Sequence, residues 1–194
     1  MVMRWLSFTY PHVFHTDSRR FQMQLHKAMP TRSIWTIDLA AFLSSWVSME
    51  HVDVHLWFSS TSMETNPAHA AHPYYSADYA TDVARVAPLY AAWRDRSFLG
   101  HTTTAELKAR MQQRPSVLVA LVDATELQCC VWKRHPMHEY QGHFIVITSI
   151  CDTKVYYVDP ASAEHTACVI DVTMFDKARC HPSTDQDLLL VSLP

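Results

Sequence analysis

His143 and Asp159 bracket two strand-like runs in the stretch YQGHFIVITSICDTKVYYVDPAS, residues 140–162. If 143–150 and 154–158 form an antiparallel hairpin turning about Cys151, the two residues lie equally far from its centre and oppose each other. Directly opposed residues hold their Cβ atoms roughly 4.5–5.5 Å apart, so imidazole and carboxylate come within hydrogen-bond reach. A carboxylate on one ring nitrogen fixes the tautomer and stabilises the imidazolium, which is what a general base needs in order to activate a nucleophile. Gly142, one of only two glycines in the chain, leaves room for a substrate chain or another backbone to pass beside the ring. The chain also carries 13 histidines, and an aspartate before Pro160 is an ordinary turn former, so the same pair equally suits a structural hairpin.

A thiol at the N-terminus of a long helix is the usual complement of such a pair, because the helix dipole favours thiolate. None of the five cysteines precedes Cys129. Cys129 and Cys130 fall in an irregular loop, Cys151 at a hairpin tip, and Cys180 beside His181; none of these is a helix start. In CCVWKRHPMH, residues 129–138, Cys129, Cys130, His135 and His138 are possible zinc ligands, but adjacent cysteines lack the separation of structural zinc pairs, and no metal is expected. Asp171, Asp176, Asp185 and Asp187 near turns and strand ends read as solvated surface, and two glycines cannot build a phosphate-cradling loop. No cofactor is expected.

Several elements must position these groups. A helix is expected within 17–28, and Thr31 or Ser33 is placed to cap a second one running to about Trp46, with Ile34, Ile37, Phe42 and Trp46 near the helical period. HVDVHLWF, residues 51–58, alternates as a half-buried strand, with Trp57 pointing away from the core beside His51 and His55; an exposed aromatic there would suit a protein partner. Tyr79, Val83, Val86, Tyr90 and Trp93 recur as on an amphipathic helix, which Pro88 should kink or shorten. Thr103 and Glu106 form a capping box opening a helix to about Gln113, and SVLVALV suits a strand covered on both faces. Strands follow at 143–150, 154–158, 167–171 and 187–193, with a helical turn near 173–178. Helices first and an antiparallel sheet at the C-terminal end give an α+β class.

With 194 residues, 48% of them hydrophobic and 18% charged, the chain fits one folded domain spanning 1–194. A net charge of −3 offers no cationic surface for a phosphate backbone, which excludes nucleic acid as a partner. The N-terminus lacks a signal-peptide pattern and no apolar span of about 20 residues occurs, so no membrane contact is expected. An odd cysteine count argues for reduced thiols and a cytoplasmic location.

Three segments carry a resemblance to a known family: TRSIWTIDLA (31–40), YQGHFIV (140–146) and TDQDLLLVSL (184–193). They resemble the guanylyl cyclase domain-containing protein family, whose fold looks like papain-type cysteine peptidases of the bacteriocin-processing class. The resemblance implies that His143 and Asp159 hold the base and orienting positions, and that Gln141, Gly142 and Trp35 line the substrate cleft. In that family the segment similar to MVMRWL is preceded by an Asp-Cys-Gly stretch bearing the nucleophile. The expectation is therefore a chain that starts partway along the nucleophile helix, either truncated or a catalytically dead relative, without thiol turnover.

Three functions follow as expectations: cysteine-dependent hydrolysis of a peptide or related acyl group in the intact ancestor, cyclisation of GTP as the family's name asserts, or a non-catalytic module that binds a peptide or protein.

Overall fold

A computed structural model describes residues 1–11, 19–31, 33–73, 75–127, 140–162 and 167–194. Cys129, Cys130, His135 and His138, the zinc candidates, lie outside the described residues, as does Trp132. The helices are α1 (Val2–Thr9), α2 (Arg19–Ala28), α3 (Thr36–Met49), α4 (Tyr79–Trp93), α5 (Thr104–Gln113) and α6 (Val172–Arg179). The strands are β1 (His55–Ser60), β2 (Ser97–Leu99), β3 (Ser116–Asp123), β4 (Gly142–Ile150), β5 (Lys154–Val158), β6 (Ala167–Asp171) and β7 (Leu188–Ser192). Among the described residues no helix is long and apolar enough to cross a membrane.

Among the described residues the seven strands form one sheet in the order β2-β1-β7-β3-β4-β5-β6. β1 and β2 run parallel and every other neighbouring pair is antiparallel. The class is α+β with a mixed sheet. The expected separation of helices from a C-terminal sheet is corrected: β1 and β2 come from the first half of the chain, and β7 inserts between β1 and β3. The run LLLVS of β7 is buried at every position, as a strand covered on both faces requires, and only a central place in the sheet supplies that cover.

The two faces carry separate cores. Leu6 of α1, Ile37 and Trp46 of α3 and Val86 of α4 pack on Val119 and Val146 on one face. Leu107 of α5 and Phe175 of α6 pack on Leu118, Val122, Ile145 and Ile147 on the other. Alternation along β4 as far as Ile147 therefore sends odd positions to the α5–α6 side and even positions to the α1–α4 side, and beyond the irregularity Ile150 joins the α5–α6 core.

Local chemistry departs from the sequence expectations in four places. α3 is capped neither by Thr31 nor by Ser33: the helix begins at Thr36, and the Trp35 N–H donates to the Asp38 carboxylate at 2.9 Å. Thr31 instead donates to Asp82 at 2.7 Å, and the Ser33 carbonyl accepts from Arg85 at 3.2 Å. Residues 51–54 are not strand, because they close α3: His51 takes φ 53° and the Val52 N–H reaches back to the Val47 carbonyl at 2.9 Å, a Schellman turn. Trp57 is half-buried rather than presented to solvent, stacked on Phe98 at 6.2 Å with the Arg110 guanidinium 4.4 Å from its ring centre. As anticipated, the Thr103–Glu106 capping box opens α5, whereas α4 is not shortened by Pro88 and runs through it from Tyr79 to Trp93.

Candidate active site

β4 starts at Gly142, opposite Asp123 of β3, with His143 opposite Val122. On its other side β4 meets β5 with Val146 opposite Val158 and Ile150 opposite Val155, and the register shifts between Ile147 and Ser149. Continuing that register places Asp159 opposite Ile145, not opposite His143; the hairpin turns beyond Cys151. The two side chains meet on the diagonal, a separation that long side chains still bridge. The His143 Nε2 lies 2.8 Å from the Asp159 Oδ1.

Asp159 is wholly buried while the His143 side chain keeps 16% of its surface. The same carboxylate oxygen accepts the Ala161 N–H at 2.8 Å, and the Asp159 carbonyl accepts the Ser162 N–H at 3.0 Å. Asp159 thus opens a Pro-containing turn and holds the imidazole at once; the two sequence readings of this residue describe one arrangement. A sealed carboxylate is costly unless it is hydrogen-bonded, and the Asp159 oxygen meets both the His143 ring nitrogen and the Ala161 N–H. Carboxylate against Nε2 fixes the neutral ring with its proton on Nε2 and its basic lone pair on Nδ1.

The space that Gly142 leaves open is filled. A Cβ there would stand 2.7 Å from the Tyr75 hydroxyl and 2.9 Å from the Tyr140 hydroxyl. Both phenols lie on the α1–α4 side, whereas His143, one residue on, turns to the α5–α6 side. Tyr140 donates to the Ser183 carbonyl at 2.8 Å and stacks on His181 at 4.8 Å. Tyr75 lies 4.5 Å from His69, which in turn lies 5.6 Å from Trp35. His69 is buried at 4% exposure and holds the Ser183 carbonyl at 3.1 Å; burial pushes its pKa below the ordinary histidine value. Of the proposed cleft residues, Gln141 directs its N–H to Asp123 at 3.3 Å, and its carbonyl accepts the Ala124 N–H at 2.9 Å. Trp35 is 7% exposed and belongs to the core. His69, Tyr75 and His181 are neighbours that periodicity does not single out; the concentration of imidazoles and phenols in AHAAHPYY, residues 68–75, is the one local signal for His69 and Tyr75.

The four aspartates weighed as metal ligands are spread across the fold. Asp171 pairs with Lys154 at 2.8 Å, Asp176 with Arg179 at 2.7 Å, and Asp185 accepts from Asn66 at 2.9 Å. Asp187, expected on the solvated surface, is instead buried near Thr36 and Ser60; burial drives its carboxyl up to about 7, and raises Asp185 to about 6. Among the described residues no three His, Cys, Asp or Glu side chains converge as a metal site. Cys151 is exposed at the hairpin turn, Cys168 buried in β6, and Cys180 half-buried behind the C-terminus of α6.

The segments 31–40, 140–146 and 184–193 therefore come close: Thr36 lies near Asp187, Tyr140 bonds to Ser183 immediately before the third segment, and Tyr75 bridges Trp35 and Gly142. Guanylyl cyclase 1 of Arabidopsis thaliana is 26% identical over 176 residues, covering 84% of this chain and 61% of that relative, so the chain spans less than two thirds of the relative's length. The family described as guanylylate cyclase matches residues 7–191. With that match running over nearly the whole sheet and both helical layers, the chain belongs to the guanylylate cyclase family.

Proposed function

We propose that His143 and Asp159 are the acid–base half of a cysteine-dependent acyl-transfer site on a papain-like scaffold, acting on a peptide or related acyl group. The observation that carries this reading is the 2.8 Å contact between a sealed carboxylate and a partly open imidazole. In the reaction, Nδ1 of His143 takes the proton of the attacking thiol and later returns it to the leaving amine. Asp159 holds the ring in register and balances the imidazolium between those steps. Backbone amides near the thiol would stabilise the oxyanion. None of Cys151, Cys168 and Cys180 lies within the first turn of a helix, and no contact of a thiol with His143 is assigned to them.

The test is alkylation of the purified chain by a thiol-directed epoxide, followed cysteine by cysteine by mass spectrometry in a Cys151→Ser background. A cysteine whose labelling slows at least about tenfold in His143→Ala supports the reading. Labelling indifferent to His143 at every cysteine overturns an acyl-transfer role for the dyad with any thiol of this chain.

A second reading, formation of cyclic GMP from GTP, is favoured by the family to which the chain belongs and by the name of its Arabidopsis relative. The described carboxylates do not gather as the divalent-metal set such chemistry uses, and no step is derived through a metal. Metal-dependent cyclic GMP formation that is unchanged in His143→Ala would favour this second reading over the first.

A further inference from the structure

β2 closes one edge of the sheet, and among the described residues no strand pairs with its outer side. The Gly100 N–H is spent inward on the Ser60 carbonyl at 2.9 Å. Alternation along the strand then turns the N–H and C=O of Leu99 away from β1. Native sheet edges are usually blunted by charge, proline or a covering segment. This one instead exposes two large apolar side chains, Phe98 at 42% and Leu99 at 59%, one toward each face of the sheet.

Each face at this edge also carries a guanidinium held over an indole. On the α5–α6 side Phe98 stacks on Trp57, and Arg110 of α5 stands 4.4 Å from the Trp57 ring centre. On the other side Arg96 lies 3.8 Å from the ring centre of Trp93, which belongs to the α1–α4 core. A stacked guanidinium is held in place by the ring while its in-plane N–H donors stay available to a carboxylate. Among the described residues neither Arg96 nor Arg110 makes an ion pair. Arg94, in the turn before the strand, is likewise exposed and unpaired. The acids in reach are Asp95, exposed between Arg94 and Arg96, and Glu106, whose carboxylate is taken by the Thr103 N–H and hydroxyl. The charge at this edge is therefore positive although that of the whole chain is −3. A second copy pairing β2 with β2 would draw like guanidinium groups into one seam, which is unfavourable. An acidic strand meets the same groups with the opposite sign.

We propose that β2 is a docking strand for an extended segment of a partner protein, apolar at its centre and acidic at its ends. The segment adds to the sheet edge through the N–H and C=O of Leu99, packs on Phe98 and Leu99, and sets its carboxylates on Arg96 and Arg110. Three strands separate β2 from β4, so this surface stands or falls separately from the acyl-transfer reading.

The experiment titrates the full chain against a fluorescein-labelled peptide, Glu-Glu-Val-Ile-Val-Glu-Glu, by fluorescence anisotropy. Three comparison probes are the same peptide with lysine for glutamate, the same peptide with its central amides N-methylated, and an oligothymidine of about ten nucleotides. The expected result is one acidic peptide bound per chain, with each comparison probe weaker by at least about tenfold. Arg96→Glu and Arg110→Glu together should weaken the acidic peptide by about the same factor. Circular dichroism establishes that this variant is folded; if it is not, the comparison probes, which need no variant, decide. The proposal is overturned by no binding of the acidic peptide, by equal binding of its lysine or N-methylated form, or by oligothymidine binding as tightly. It is equally overturned by an affinity unchanged in the folded variant, or by a dimer of the free chain in sedimentation equilibrium that Leu99→Glu dissociates.

Discussion

His143 and Asp159 meet across the diagonal of the β4–β5 pair, Nε2 to Oδ1 at 2.8 Å, on the sheet face covered by α5 and α6. One carboxylate oxygen serves both the imidazole and the Ala161 N–H, so the turn after β5 and the orientation of the ring are a single structural unit. Any chemistry at His143 is tied to the geometry of that turn.

The first prediction follows from this sharing. His143→Ala leaves a buried carboxylate with less compensation and should destabilise the fold by about 2–3 kcal/mol in urea unfolding. Asp159→Ala should cost more, since it removes the turn bond as well. The double variant should fall short of the sum by at least about 1 kcal/mol. Strict additivity would show that the two side chains are not coupled.

Gly142→Ala should destabilise the chain by roughly 1–3 kcal/mol, because its methyl group would collide with two phenol oxygens. Removing the nearer oxygen in Tyr75→Phe should recover about half of that loss in the double variant. If Tyr75→Phe rescues nothing, the glycine is required for a reason other than the packed hydroxyls.

The buried Asp187 carboxyl, raised to about 7, binds its proton more tightly in the fold than in the unfolded chain. Its contribution is complete below about pH 4 and is lost as pH climbs through about 7, at a slope on the order of 1.4 kcal/mol per pH unit. Asp185, raised to about 6, adds in the same direction. His69 works oppositely, since its lowered pKa favours the neutral ring and its contribution fades as pH falls. Asp187→Asn should therefore flatten the stability profile between pH 5 and 8 relative to the parent, gaining on it most at pH 8. Parallel profiles in thermal melts would contradict this.

Cys151 is exposed, and backbone N–H groups of Thr153 and Lys154 pull its thiol pKa below the ordinary value. Burial pushes that of Cys180 up. Iodoacetamide at neutral pH should modify Cys151 first among Cys151, Cys168 and Cys180, with a rate indifferent to His143→Ala. Faster reaction at Cys180 would mean that the hairpin tip does not stabilise thiolate.

Much of the fold is local enough to be legible before any coordinates. The capping box at Thr103 and Glu106, the periodic apolar positions of α3 and α4, and the apolar runs of β3 and β4 name their elements because hydrogen bonds and burial there repeat over three or four residues, or over two. The candidate dyad was legible for the same reason: one short hairpin brings its members together, whichever register it takes. The register itself was misjudged by two residues, because the position of the turn and an irregularity between Ile147 and Ser149 leave no mark in the pattern of apolar residues.

By itself, then, the sequence determined most of the stretches that are helix or strand, that the chain is α+β, and that an imidazole and an acid share a hairpin; the short β2 went unmarked. Only the tertiary structure decided that β7 lies between β1 and β3, that residues 51–54 close a helix, that two phenols occupy the space over Gly142, and that Thr36 lies near Asp187. These depend on which distant surfaces bury one another. An apolar run states that it must be covered, but its partners are chosen by the packing of the whole sheet.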